Sequence, residues 1–397
     1  MSDRSEGNGI LWPLLGGTVL AASLLSGIRS APDVNAEVAR HGDELSASAI
    51  SQAGVPGAPL VDSSSWSRSY ATSLHATAQG MKTWYDEANL GFEHLTGVPY
   101  EDLSCKSCHE PRATGGCTSC HGETSPRVGA HVDASLDGIC GGCHSRQVAE
   151  AAHYSDVHRD LGMGCLACHT KEDVMGDGHS YASMLEDGAI DAGCSGVCHR
   201  NLSQNQAHVL HGETVHCSAC HVQSVVSCYN CHFETELQLD RKVAYGQLRD
   251  WVFLMNRNGK VHAANFQAVK HGDHTFVALA PFYAHTISRE ARGCLDCHGS
   301  VAVRDYLDDG VIDVAWWDET TSALDHVKGV VPVPPDYRTA LRFDFVDLDR
   351  PGGTVWSFLE SGPDSIQILF GEPLTEAQME SLALTALWRS PTEAPPR

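Results

Sequence analysis

Every cysteine in this chain stands in a pair, and every pair runs directly into a histidine. The first four are Cys105-Lys-Ser-Cys108-His109, Cys117-Thr-Ser-Cys120-His121, Cys140-Gly-Gly-Cys143-His144 and Cys165-Leu-Ala-Cys168-His169. The other four are Cys194-Ser-Gly-Val-Cys198-His199, Cys217-Ser-Ala-Cys220-His221, Cys228-Tyr-Asn-Cys231-His232 and Cys294-Leu-Asp-Cys297-His298. Histidine fills 23 of 397 positions, so eight such followers arise by chance with odds of about 10^-10, against one motif sought. All sixteen thiols are used, and none is left for a disulfide or a catalytic nucleophile. That usage fits neither a small disulfide scaffold nor an ordinary cytosolic enzyme.

The residue types point to one chemistry. Structural zinc sites pair two C-x-x-C knuckles and need no histidine next to the second cysteine. C-x-x-C-H is the attachment pattern of c-type haem, in which two thioethers fix the porphyrin and the neighbouring imidazole reaches the iron. The reading is therefore eight covalent haems c with their iron, His109, His121, His144, His169, His199, His221, His232 and His298 being the proximal ligands. The fifth motif, Cys194 to His199, has one extra residue in its loop.

Fifteen histidines remain for eight second axial positions, and methionine numbers only seven, which favours bis-histidine ligation and low potentials. His131, His153, His158, His208, His211 and His285 each fall shortly upstream of a motif. His75 and His94 precede the first motif, and His179 lies in a Gly-Asp-Gly-His turn. These nine are the distal candidates. His262, His271 and His274 are reserves, and His216 and His326 rank below them.

Motif histidines follow one another at 12, 23, 25, 30, 22, 11 and 66 residues. An extended chain covers at most ~3.5 Å per residue, so the short intervals force neighbouring sites together. So dense a run leaves little chain for a side-chain core. The expected fold is mostly irregular, with short α-helices wrapped around a haem core. Within the long gap, Trp251 to Met255, a Gly-containing turn and Lys260 to Phe266 predict a small β-hairpin insert at about 250–280, with Thr275 to Ala280 as a further strand. Residues 66–300 form the octahaem cytochrome domain. Residues 301–397 form a haem-free α+β C-terminal flank, with a strand-like Leu341 to Phe345 and a capping box at Thr375 and Gln378.

Ile10 to Ile28 is an uncharged, mostly apolar run, so residues 1–29 read as an export signal or N-terminal membrane anchor. Residues 30–65, rich in Ala, Ser, Gly and Pro, read as a flexible tether with one short helix around Glu37 to Gln52. The predicted location is periplasmic, cell-surface or extracellular. The formal charge is −23, and eight haems with ionised propionates take it to roughly −31. That excludes nucleic acid and suits basic redox partners or cationic extracellular acceptors.

The run His208-x-x-His211 ahead of Cys217 to His221, then Cys228-Tyr-Asn-Cys231-His232, resembles the octahaem and related multihaem c-type cytochromes over about residues 70–300. That group holds electron conduits as well as enzymes similar to hydroxylamine oxidoreductase, octahaem nitrite reductase and tetrathionate reductase. The resemblance implies electron transfer, with assembly into a conductive filament or other homo-oligomer as one form. It also implies an alternative: a multihaem oxidoreductase acting on hydroxylamine, nitrite or tetrathionate at one five-coordinate haem. Octahaem nitrite reductases carry C-x-x-C-K at the catalytic haem, and here every motif ends in histidine. Hydroxylamine oxidoreductases cross-link a tyrosine to theirs, a role for which Tyr154 and Tyr181 are candidates. The histidine surplus and the missing lysine motif favour a non-enzymatic electron carrier.

Overall fold

A computed structural model describes residues 63–104, 118–121, 138–359 and 362–383. The expected export segment, most of the tether, Cys105, Cys108, His109, Cys117 and His131 lie outside the described residues. Among the described residues no helix is long and apolar enough to cross a membrane.

Strands organise the second half of the chain. They are β1 (Val225–His232), β2 (Val243–Arg257), β3 (Lys260–His271) and β4 (His274–Pro281), then β5 (Ile312–Asp318), β6 (Ala323–His326) and β7 (Gly329–Pro332). After these come β8 (Leu341–Phe343), β9 (Phe345–Leu348), β10 (Trp356–Leu359) and β11 (Ser365–Ile368). Six of them form one mixed sheet in the order β11-β4-β3-β1-β2-β7, with β2 also pairing β3. β2 and β3 make a hairpin with Arg257 opposite Lys260. Its Asn258-Gly259 turn has φ of 53° and 82°, the twist that two-residue hairpins favour.

This overturns the expectation of a mostly irregular chain of short helices around haems. The hairpin at 251–266 is present, but as the centre of a six-stranded sheet rather than an insert. The segment after Ser300 is no separate flank either. β7 lies parallel to β2 and β11 lies parallel to β4, so both complete the same sheet. The reason is physical: near-continuous apolar runs in the central strands bury one another on both faces and need no porphyrin to cover them. Trp251, Val252, Phe253, Phe266, Val277, Leu279, Val331, Phe343 and Phe345 are all buried in one apolar cluster. The strand-like run 341–345 is broken at Asp344 into β8 and β9, while Thr375 and Gln378 do form the capping box of Glu376–Leu382.

The first half is different. Helices there are short, from Ser63–Thr72 to Gln206–His211. Between residues 138 and 217 the buried apolar side chains are only Leu185 and Ala189, while Leu161, Leu166, Val197, Val209 and Leu210 are exposed.

One polar pair packs at the margin of the folded core. His216 and His262 stack with ring centres 4.1 Å apart and planes 10° apart. Burial and the Lys260 and Arg257 charges pull His216 down to about 4; burial and His216 itself pull His262 down to about 3. Both stay neutral when folded, whereas in the unfolded chain each takes up a proton near pH ~6.5. Stability is therefore full above that pH and is lost as pH falls towards 4. Urea midpoints between pH 7 and 4 should fall, and less steeply in His262→Phe.

Candidate haem-binding sites

Local backbone geometry brings each pair of thiols together. Ile139–Cys143, Cys217–His221 and Cys294–His298 are single helical turns, and Cys165–Ala167 is a tighter one. On such a turn residues three apart share a face, so both sulfurs and the following imidazole point the same way. His144 and His169 each donate a backbone N–H to the carbonyl of the first cysteine in their motif, at 2.9 and 3.0 Å. The longer fifth motif compensates by widening. Cys194–Cys198 is a π-type turn, and the His199 N–H still reaches the Cys194 carbonyl at 2.9 Å.

Opposite five motif histidines stands a second imidazole. Ring centres are separated by 6.1 Å for His144 and His75, 6.2 Å for His169 and His285, and 6.0 Å for His199 and His158. For His221 and His208 the value is 6.4 Å, and for His298 and His211 it is 6.1 Å. Two imidazoles holding one metal atom at ~2.0 Å from each nitrogen have ring centres about 6 Å apart. The five pairs fit a six-coordinate haem iron.

Hydrogen bonds set the tautomers. Nδ1 of His75 faces the Val174 carbonyl, His221 that of Ser288 and His298 that of Leu382, each at 3.0 Å, and His208 that of Ser203 at 2.9 Å. A nitrogen facing a carbonyl carries the proton, which leaves Nε2 bare for a metal. Burial holds His75, His144 and His211 below the ordinary imidazole range, so these ligands are neutral as coordination requires.

The family described as a doubled CXXCH motif matches residues 109–149. That doubled motif indicates a multihaem c-type cytochrome. No curated protein and no solved structure matches it.

Neighbouring sites lie close enough for their residues to influence one another. His144 and His75 lie within electrostatic reach of His169, and His144 of His285 as well. Cys168 is raised by burial and by Cys198 of the next motif. Cys194 hydrogen-bonds to Cys217, and Cys297 is pushed up to about 12 by burial and by Cys220. The row therefore runs from the His144 site through His169, His199 and His221 to His298.

Three motifs remain. Of the second, Cys120 and His121 are described, and no imidazole among the described residues faces His121. The first lies outside them. In the seventh, Cys228 and Cys231 lie on β1, where residues three apart point to opposite sides of the sheet. Nδ2 of Asn230 approaches His232 Nε2 at 2.8 Å, while the same amide spans the Val346 carbonyl and N–H. His232 is buried, and no imidazole among the described residues faces it. As folded, these residues do not fit a haem.

Among the other distal candidates, His94 is exposed on Phe92–Thr96, His153 lies 3.5 Å from Arg249, and His179 bonds to Asp177. None faces a motif histidine among the described residues. Tyr154 and Tyr181 donate their hydroxyls to Asp250 and Asp177. Sequence reasoning missed three carboxylates beside the ligands: Asp173, 3.5 Å from His169, Asp156, 3.5 Å from His158, and Glu150, 3.7 Å from His285. The pattern Thr170-x-x-Asp173 was readable as a helix start; nothing local marks Glu150.

Proposed function

We propose that this cytochrome is an electron conduit acting outside the cytoplasm, relaying electrons along a row of bis-histidine haems. The observation that carries this is the set of five facing imidazole pairs, each next to another pair in the row. Bound haem c supplies one-electron exchange between ferric and ferrous iron. The chain's own part is to present two facing imidazoles at each of the five sites, which would hold a bound haem iron from both sides and leave no place on it for a substrate. Motif turns such as Cys194–Cys198 and Cys217–His221 abut through their sulfurs, which keeps consecutive sites at contact distance. The proposed complement is one haem per attachment motif, the Cys228 to His232 motif excepted as folded, and the strongly acidic sequence favours a basic redox partner whose docking salt weakens.

EPR of the fully oxidised protein tests this. Low-spin ferric signals should dominate. A high-spin signal of several haems that moves on adding nitrite, hydroxylamine or sulfite would replace the conduit with an oxidoreductase.

A further inference from the structure

We propose that Glu150 and Asp173 make the His169–His285 site the lowest-potential point of the row. The inference rests on the haem reading above.

Glu150, on the helix Ser145–His153, is fully buried at 0% exposure. Its Oε2 accepts the His285 backbone N–H at 2.8 Å and lies 3.7 Å from His285 Nδ1, while its Oε1 has no hydrogen-bond partner. Across the site, the Asp173 side chain is 3% exposed and its Oδ2 lies 3.5 Å from His169 Nδ1. That oxygen also accepts the Thr170 N–H, and Oδ1 accepts the Asp191 N–H. Among the described residues no Lys or Arg forms an ion pair with either carboxylate.

Two buried carboxylates thus flank the two imidazoles of one site. Buried charges are ordinarily paired or placed beside a metal. A carboxylate next to the outer nitrogen of a ligating imidazole makes that ligand a stronger donor. Negative charge in a low-dielectric setting also favours the ferric state, which carries one more positive charge than the ferrous. Neutral carbonyls occupy the corresponding place on His75, His221, His208 and His298. The His199–His158 site has one carboxylate, Asp156, whose charge is shared among three backbone N–H groups. It ranks second.

Spectroelectrochemical titration of the holoprotein, compared with Glu150→Gln, Asp173→Asn and the double variant, tests the assignment. Each step moves one electron from the mediator to iron, ferric to ferrous, with no bond broken. Gln and Asn keep an acceptor oxygen for the His285 and Thr170 N–H groups, so haem content should match the parent. The most negative component should move positive in each single variant and further in the double, with the rest of the curve superimposable. Unchanged curves, or a shift spread evenly over all components, would overturn the proposal. If Glu150→Gln does not accumulate with full haem, Asp173→Asn decides alone, since it acts on the opposite ligand. Loss of low-spin signals in the parent would sink the conduit reading; an unmoved titration with low-spin spectra sinks only the carboxylate role.

Discussion

Replacing His158 by alanine should convert one low-spin haem to high spin and raise carbon monoxide binding to the reduced protein by one molecule per chain. His158 is the imidazole facing His199 at 6.0 Å, in the middle of the row. Its backbone N–H is held by Asp156 at 2.9 Å, and that cap does not use the imidazole. The variant keeps its helix Val157–Asp160 and loses only the ligand. Because the site is central, electron passage between the two ends should slow by about an order of magnitude or more, as removing an axial ligand shifts that site's potential away from its neighbours. Gas titration, EPR and conductance across an electrode-bound film give independent readings. A variant with parental carbon monoxide stoichiometry would remove His158 from the ligand set.

The other large effect lies in the sheet. Trp251→Ala should cost roughly 3–5 kcal/mol and lower the melting temperature by about 10 °C. Trp251 is fully buried and meets the rings of Phe253, Phe266 and His326. Its indole N–H donates to Ser227 Oγ at 3.1 Å, and that hydroxyl in turn donates to Asn265. Alanine leaves a cavity and takes a partner from a buried hydroxyl. Trp251→Phe should recover most of the loss, since it restores the ring contacts without the hydrogen bond. Thermal melts of the two variants separate the contributions.

What the chain disclosed in advance was chemical rather than architectural. Cysteine spacing named the cofactor because the attachment chemistry is local to five or six residues. Histidine count predicted a supply of second ligands, but pairing belongs to tertiary structure. His158 precedes Cys165 in sequence yet faces His199, and His285 precedes Cys294 yet faces His169. The hairpin was visible from its two apolar runs and the Gly-containing turn between them. The remainder of the sheet was not, because β7 and β11 pair in parallel with strands some eighty residues away. β1 was concealed for a different reason: Val225 to His232 contains a haem motif, and motif chemistry leads one to expect a turn. Asn230, with φ of 56° and its amide bound to Val346, is the residue of this strand that leaves the ordinary extended conformation.

Partners in the row are far apart along the chain, and this governs how the protein is made. His285 arrives only after the β2–β3 hairpin and β4 have been synthesised, and it is then fastened by Val157 donating to Ile287. A polypeptide growing from its N-terminus thus completes its central sites late, once distant segments have caught up. Cofactor insertion and chain folding become one timetable, with the sheet as the clasp that closes last.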